Sequence, residues 1–304
     1  MEVTVQILTK NNANTILQVL QSVKPLNARI LIGDLGSTDN TISLLENNGF
    51  AVIRYDTNDA SFARNDLIKR SQTELQLYLN PWEVIAQGHE QLPKANSNCY
   101  VTVLNDTVAT KEIRIFNKGT FVNPVYEYLD AKATQEIGLV IYAIHGPNFD
   151  QNLKIIEEWI NAKPLSKEPY YYQSLTLLAQ RRYEEFLTVS EHYMFLDKSS
   201  SIASTMNRYY FALVQIIHKK RVQSALKNIN LCICIQPLMA EFWCLQGDVY
   251  YHLLRDYLRA KDYYEMAIIL GNRRLTNDRW PMDVSKYKDY PTKMIESCNY
   301  LLDV

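Results

Sequence analysis

The sequence predicts two halves of different class, an α/β domain over residues 1–148 and an all-α domain over residues 149–304. Two observations carry this. Short β-type runs alternate with helical runs as far as Glu83, and no strand pattern continues beyond Asn152.

In chain order, "VTVQILT" (3–9) reads as a strand. "TILQVLQSV" (15–23) reads as a helix, because Ile16, Val19, Leu20 and Val23 fall on one face. "RILIGD" (29–34) is the second strand, and "TISLLENNG" is a short helix closed by Gly49. "FAVIRYD", "SFARNDLIKRSQ" and "LQLYLN" continue as strand, helix and strand. Strand-helix-strand at this spacing implies a parallel sheet with right-handed crossovers and a ligand at the carboxyl ends of the strands. Beyond Glu83, "CYVTVLND" and "EIRIFNKGTFV" alternate with period two, as antiparallel strands do, and "GLVIYAIHG" (138–146) is a last buried strand.

The second half repeats itself. Trp243, Gly247 and Tyr250 stand at the offsets of W-x2-L-G-x2-Y, with Gln246 in the Leu place, and Ala260 and Tyr264 follow at the A-x3-F spacing. One repeat earlier Tyr209, Ala225, Ile229 and Pro237 hold the corresponding places, and a weaker copy from Tyr170 has Phe186 at the small-residue position. Ala225 to Ala260 is 35 residues, one above the usual period of about 34. The pattern resembles a tetratricopeptide array of three repeats closed by "YPTKMIESCNYLL", with a generic helical bundle as the plain alternative. Such an array implies a protein, peptide or glycan partner in a groove lined by the first helix of each pair. Tyr170, Tyr171, Tyr172, Tyr209 and Tyr210 are candidate contacts or repeat core, and three repeats imply packing on the first domain or a homodimer.

Composition limits function. A net charge of -1 gives no bulk attraction for nucleic acid or an anionic membrane. The longest apolar runs are far short of a transmembrane segment. The N-terminus has no basic stretch before its first strand, so no signal peptide is expected. Five scattered cysteines without CxxC spacing read as reduced core thiols, and the expected location is cytoplasmic.

"GDLGSTDNT" (33–41) ends a strand and opens a helix, which suits either capping or ligand binding. Together with "TKNN" (9–12), "FARN" (62–65), "EIRIF" (112–116), "VYE" (125–127) and "IHG" (144–146), its order resembles family 2 glycosyltransferases of the GT-A fold, a branch that includes members with helical-repeat tails. The resemblance implies an inverting transferase that moves sugar from a nucleotide-diphosphate donor, with UDP-sugar expected. Thr9, Asn11, Asp34, Ser37, Asp39, Asn65, Asn80 and Trp82 would line the donor pocket, and Arg64 would face the pyrophosphate or form an ion pair. Glu127 would be the general base or a solvated carboxylate. "YLNPWEVI" lies on the metal-binding turn, with Asn80 and Trp82 at its two aspartate positions. Mn²⁺ or Mg²⁺ is then left with a remnant site of Glu83 and His145, or His145 is a core histidine. The competing expectation is an inactive glycosyltransferase-like nucleotide-sugar or glycan-binding scaffold that acts through its repeats.

Overall fold

The computed structural model describes residues 2–93, 97–133, 135–219, 221–274 and 278–303. The chain divides into two compact units, Met1–Asn148 and Phe149–Val304.

In the first unit β1 (Val3–Thr9), β2 (Arg29–Asp34), β3 (Val52–Arg54) and β4 (Leu75–Leu79) are joined by α1 (Ile16–Val23), α2 (Thr41–Asn47) and α3 (Ala60–Arg70). There follow β5 (Glu83–Gln87), β6 (Cys99–Asn105), β7 (Val108–Phe116), β8 (Thr120–Val122), β9 (Tyr128–Asp130) and β10 (Gln135–Ala143). The main sheet runs β3-β2-β1-β4-β7-β6-β10-β5, and β8-β9 is a separate hairpin. β1 is parallel to β2 and β4, whereas β7 is antiparallel to β4 and β6. Every residue of β1 and β4 is buried, including the polar Thr4, Gln6 and Gln76, and the Gln6 side-chain amide donates to Gln76 across the two strands. The face of α1 chosen by its period is the buried one. Gly49 takes φ +82 beyond α2, and the Phe50 amide donates to Leu45 O at 3.1 Å, which ends the helix in a Schellman turn. Two details differ from the sequence reading. Glu83 opens a further strand, β5, that pairs antiparallel with β10, and "EIRIFNKGTFV" is divided between β7 and β8.

The second unit is helical. After α4 (Phe149–Ala162) come three pairs: α5 (Glu168–Ala179) with α6 (Tyr183–Leu196), α7 (Ile202–Val214) with α8 (Val222–Ile235), and α9 (Ala240–Asp248) with α10 (Tyr257–Gly271). α11 (Asp289–Leu302) follows. Each helix packs on its neighbours in sequence, as in a stack of hairpins. α7 and α9 both end in π-helical turns, Gln215–Lys219 and Val249–Leu254. The second is six residues long and the first five, which accommodates the one residue by which Trp243 to Ala260 exceeds Tyr209 to Ala225 and so makes the Ala225 to Ala260 spacing 35. Ala225 and Ala260 are wholly buried where paired helices meet.

A Cβ at Gly247 would lie 2.7 Å from the Tyr264 ring, itself fully buried and bonded through its hydroxyl to Asp248 at 2.7 Å. Gly247→Ala is therefore expected to destabilise the second unit by about 1–3 kcal/mol, seen as a lower urea midpoint at unchanged m-value.

Glu241 on α9 is buried and accepts hydrogen bonds from the Asp283 amide (2.7 Å) and the Tyr287 hydroxyl (3.0 Å). Burial pushes its carboxyl above the usual glutamate range; these bonds and the charge of Arg274 pull the other way and do not cancel it. The raised folded value means the native state holds this proton more tightly than the unfolded chain does. Its stabilisation is fully present below the ordinary glutamate value and is lost as pH rises through the raised one. The Tm of the native chain minus that of Glu241→Gln is expected to increase as pH falls from about 7.5 to about 5.

Candidate functional site

The carboxyl ends of β1, β2 and β4 gather the residues that the sequence picks out, and each is spent on the chain itself. Asp34 accepts from the Gly36 and Ser37 amides at 3.0 and 2.9 Å and from the Ser37 hydroxyl. Asn11, at φ +57, donates its amide to Ser37 Oγ (2.9 Å), and its side-chain oxygen accepts from the Thr38 and Asp39 amides at 2.7 and 3.2 Å. Thr9 Oγ1 donates to Asn12 Oδ1 at 3.1 Å. Asp39 accepts from the Thr41 amide at 2.9 Å. Partial burial raises its carboxyl, but hydrogen bonds from Thr41 and Ala13 outweigh that and hold it below the usual range. The loops after β1 and β2 are thus knitted by short polar side chains, a use of Asn, Asp and Ser that turn chemistry alone explains.

Arg64 is completely buried on α3. Its Nη1 donates to Gln6 O and its Nη2 to Leu79 O, both at 3.0 Å, and its Nε donates to Glu127 at 3.2 Å. Burial depresses its pKa in spite of the Glu127 charge. This guanidinium holds strands β1 and β4 and is sealed from any pyrophosphate. Glu127, in turn, is the counter-charge of a buried arginine. Asn65 exchanges two hydrogen bonds with the backbone of Phe121, at 2.9 and 2.8 Å, so "RN" ties α3 to the β8-β9 hairpin.

The turn after β4 closes the same way. Glu83 receives Arg114 Nη1 and Nη2, both at 2.8 Å, with both side chains only 4% exposed. It also accepts from the Asn80 amide (2.8 Å) and the Asn80 side chain (3.0 Å). Four donors fill the acceptor positions of one carboxylate. Burial works against the Arg114 charge, yet Glu83 and Glu112 raise its pKa well above the ordinary value. Trp82 is half-buried, and its carbonyl accepts from the Ile144 amide at 2.9 Å. His145 is exposed, with its ring Nδ1–H on Gly146 O at 2.7 Å. Glu83 and His145 therefore do not fit a divalent cation, and no group of three or more His, Cys, Asp or Glu among the described residues is arranged to hold one.

In the helical unit the candidate tyrosines are half-buried, and Tyr209 and Tyr210 pack against core clusters. The Tyr171 ring lies 5.4 Å from Tyr172 and from Tyr193, and Tyr209 lies 5.3 Å from Tyr210 and 5.4 Å from Phe242. Burial pushes the Tyr210 hydroxyl up to about 12 and raises those of Tyr171 and Tyr209. The sequence reading missed a different feature. Phe195, Cys234 and Ile269 each stand nine residues after the small-residue position of their pair (186, 225 and 260), and all three are exposed, Phe195 at 70%. Leu231 is exposed one turn before Cys234. Aligning the repeats and then examining their outward positions would have found this row.

No family model and no curated protein matches the chain. Solved structures do match in part. MamA 41-end from Desulfovibrio magneticus RS-1 is 17% identical, with a TM-score of 0.40 over 51% of this chain and 82% of its own. The Sgt2 TPR domain from Aspergillus fumigatus is 12% identical, with a TM-score of 0.35 over 45% and 79%. The first TPR of Spaghetti (RPAP3), bound to the HSP90 peptide SRMEEVD, is 15% identical, with a TM-score of 0.35 over 45% and 94%. No family model supports the expected family 2 glycosyltransferase with a GT-A domain, and that expectation is corrected. The structural matches named are to proteins of the tetratricopeptide kind and none is a sugar transferase. Arg64 and Glu83 are paired inside the chain, Arg64 with the half-buried Glu127 and Glu83 with Arg114, so the expected UDP-sugar donor gains no support from these groups. No helix among the described residues is long and apolar enough to cross a membrane.

Proposed function

We propose that this chain is a protein-interaction module whose helical array docks a protein or peptide segment. The observation that carries the reading is the row Phe195, Cys234 and Ile269. A large apolar side chain exposed once is ordinary; here Phe195 and Ile269 are exposed at one register position of the first and third pairs, and the small thiol of Cys234 is exposed at that position of the second. Burial elsewhere supports it, since Phe186, Ala225 and Ala260, nine residues earlier, are fully enclosed and hold the helices rigid beneath that face.

The test is selection of binding peptides from a displayed library on the intact chain, followed by titration of the selected peptide against Phe195→Asp and Ile269→Asp. Binding weakened by about ten-fold or more in either variant supports the reading. Equal affinity in both variants, or no peptide selected, overturns it.

A further inference from the structure

The N-terminal ends of the second helices carry a different repeat. Five residues before the small-residue position the three pairs read Arg181, Lys220 and Arg255, a basic residue each time. Lys220 lies outside the described residues, and Arg221 beside it is exposed. Arg181 and Arg255 take φ +59 and +52, the left-handed region that glycine enters without steric cost and arginine does not. The side chains of Arg181, Arg221 and Arg255 are exposed and have no carboxylate partner among the described residues. Their basic neighbours are spent, Arg182 on Glu185 at 2.6 Å and Arg259 on Asp256 at 3.4 Å. Lys227 and Asp262, exposed at the same place in α8 and α10, offset each other in charge.

These turns form one edge. Glu184 meets His218 at 2.8 Å, which joins the first turn to the second. Val222 and Leu253 pack on one buried cluster, which joins the second to the third. Beside the arginines, Ile217, Leu254 and Leu258 are 62, 45 and 60% exposed. We propose that this edge is a second docking surface, and that its occupant is a protein segment in which acidic residues alternate with large apolar ones. Arginine suits that partner, because its planar fork binds a carboxylate through two parallel hydrogen bonds. The exposed Ile and Leu side chains take up the partner's apolar residues. A uniform polyanion fits less well. Nucleic acid or an anionic membrane would meet Glu184, Glu185 and Asp262 on the same edge, and a net charge of -1 gives no bulk attraction. The edge is separate from the outward row, since Phe195 stands about 18 Å along α6 from Tyr183 at the turn, by the rise of an α-helix.

The test is fluorescence anisotropy of the full chain with a labelled peptide of alternating Asp, Glu and Leu residues, beside labelled poly-uridylate and co-sedimentation with phosphatidylserine vesicles. The peptide is expected to bind, more weakly as salt rises, and each of Arg181→Glu, Arg221→Glu and Arg255→Glu to weaken it by about ten-fold. Arg255→Gly separates binding from folding. Glycine relieves the left-handed backbone, so this variant is expected to unfold at the same or a higher urea midpoint and still bind about ten-fold more weakly. An excess of a peptide selected on the outward row should not displace the acidic one. No binding of the acidic peptide, full affinity in the three Arg→Glu variants, or displacement by the row's peptide overturns the proposal. Tighter binding of poly-uridylate or of the vesicles overturns it too. Each of these failures leaves the outward row to its own test.

Discussion

Arg114→Ala is expected to lower the stability of the first unit by about 3–5 kcal/mol, among the largest single effects in the chain. The reason is the charge left behind. Glu83 is almost wholly buried and would keep only its two bonds from Asn80. Glu112, which Arg114 also holds at 2.9 Å, would lose its partner, and the Tyr78 ring would lose a guanidinium 4.5 Å from its centre. Removing both charges is a different experiment. Arg114→Met with Glu83→Leu leaves no orphan ion, so most of the loss should be recovered, because replacing a buried pair by apolar volume is often close to neutral. Urea unfolding of Arg114→Ala and of the double variant measures this. A double variant no more stable than Arg114→Ala would show that the pair does more than neutralise itself.

Phe186→Ala is expected to cost the helical unit about 3–5 kcal/mol. Phe186 is fully buried among Leu153, Leu177, Leu187, Phe211 and Val214, which brings α4, α5, α6 and α7 onto one ring. A repeat usually places a small residue here, and Ala225 and Ala260 follow that rule. Pair one departs from it by filling the space with an aromatic ring, so truncation opens a cavity instead of restoring the consensus. Because neighbouring pairs support each other in a stack, the loss should also loosen α7. Hydrogen exchange across residues 202–214 checks that: faster exchange there is expected, and unchanged exchange would mean that pair one is dispensable to pair two.

The elements were legible wherever the cause is local. The buried face of α1, the Gly49 turn and the Asp34 loop are written in residues within a few positions of one another. The same is true of the helix pairs, whose small and aromatic positions recur at a fixed spacing. The β5 strand was not legible, because "NPWE" is short enough to be the turn between two strands and the apolar run continues on both sides. Roles were less legible than elements. Arg64 and Glu127 are 63 residues apart, and Glu83 and Arg114 are 31 apart. Nothing in the sequence shows that each finds an opposite charge within the fold, so an order of motifs that resembles a donor pocket reads as chemistry. Long-range pairing turned those groups into structural ions. The outward row was hidden for the opposite reason: exposure is a property of the stack, and no single repeat reveals it.

The central claim is that the helical array, and not the polar loops of the first unit, is the working surface. Hydrogen–deuterium exchange of the intact chain decides it most directly, with one sample holding a selected peptide and another holding UDP-glucose and Mn²⁺. The account predicts added protection on α6, α8 and α10 with the peptide and no change with the nucleotide sugar. Protection at the loops around Asp34 and Asn80 with UDP-glucose and Mn²⁺, and none on the helices with peptide, would contradict it.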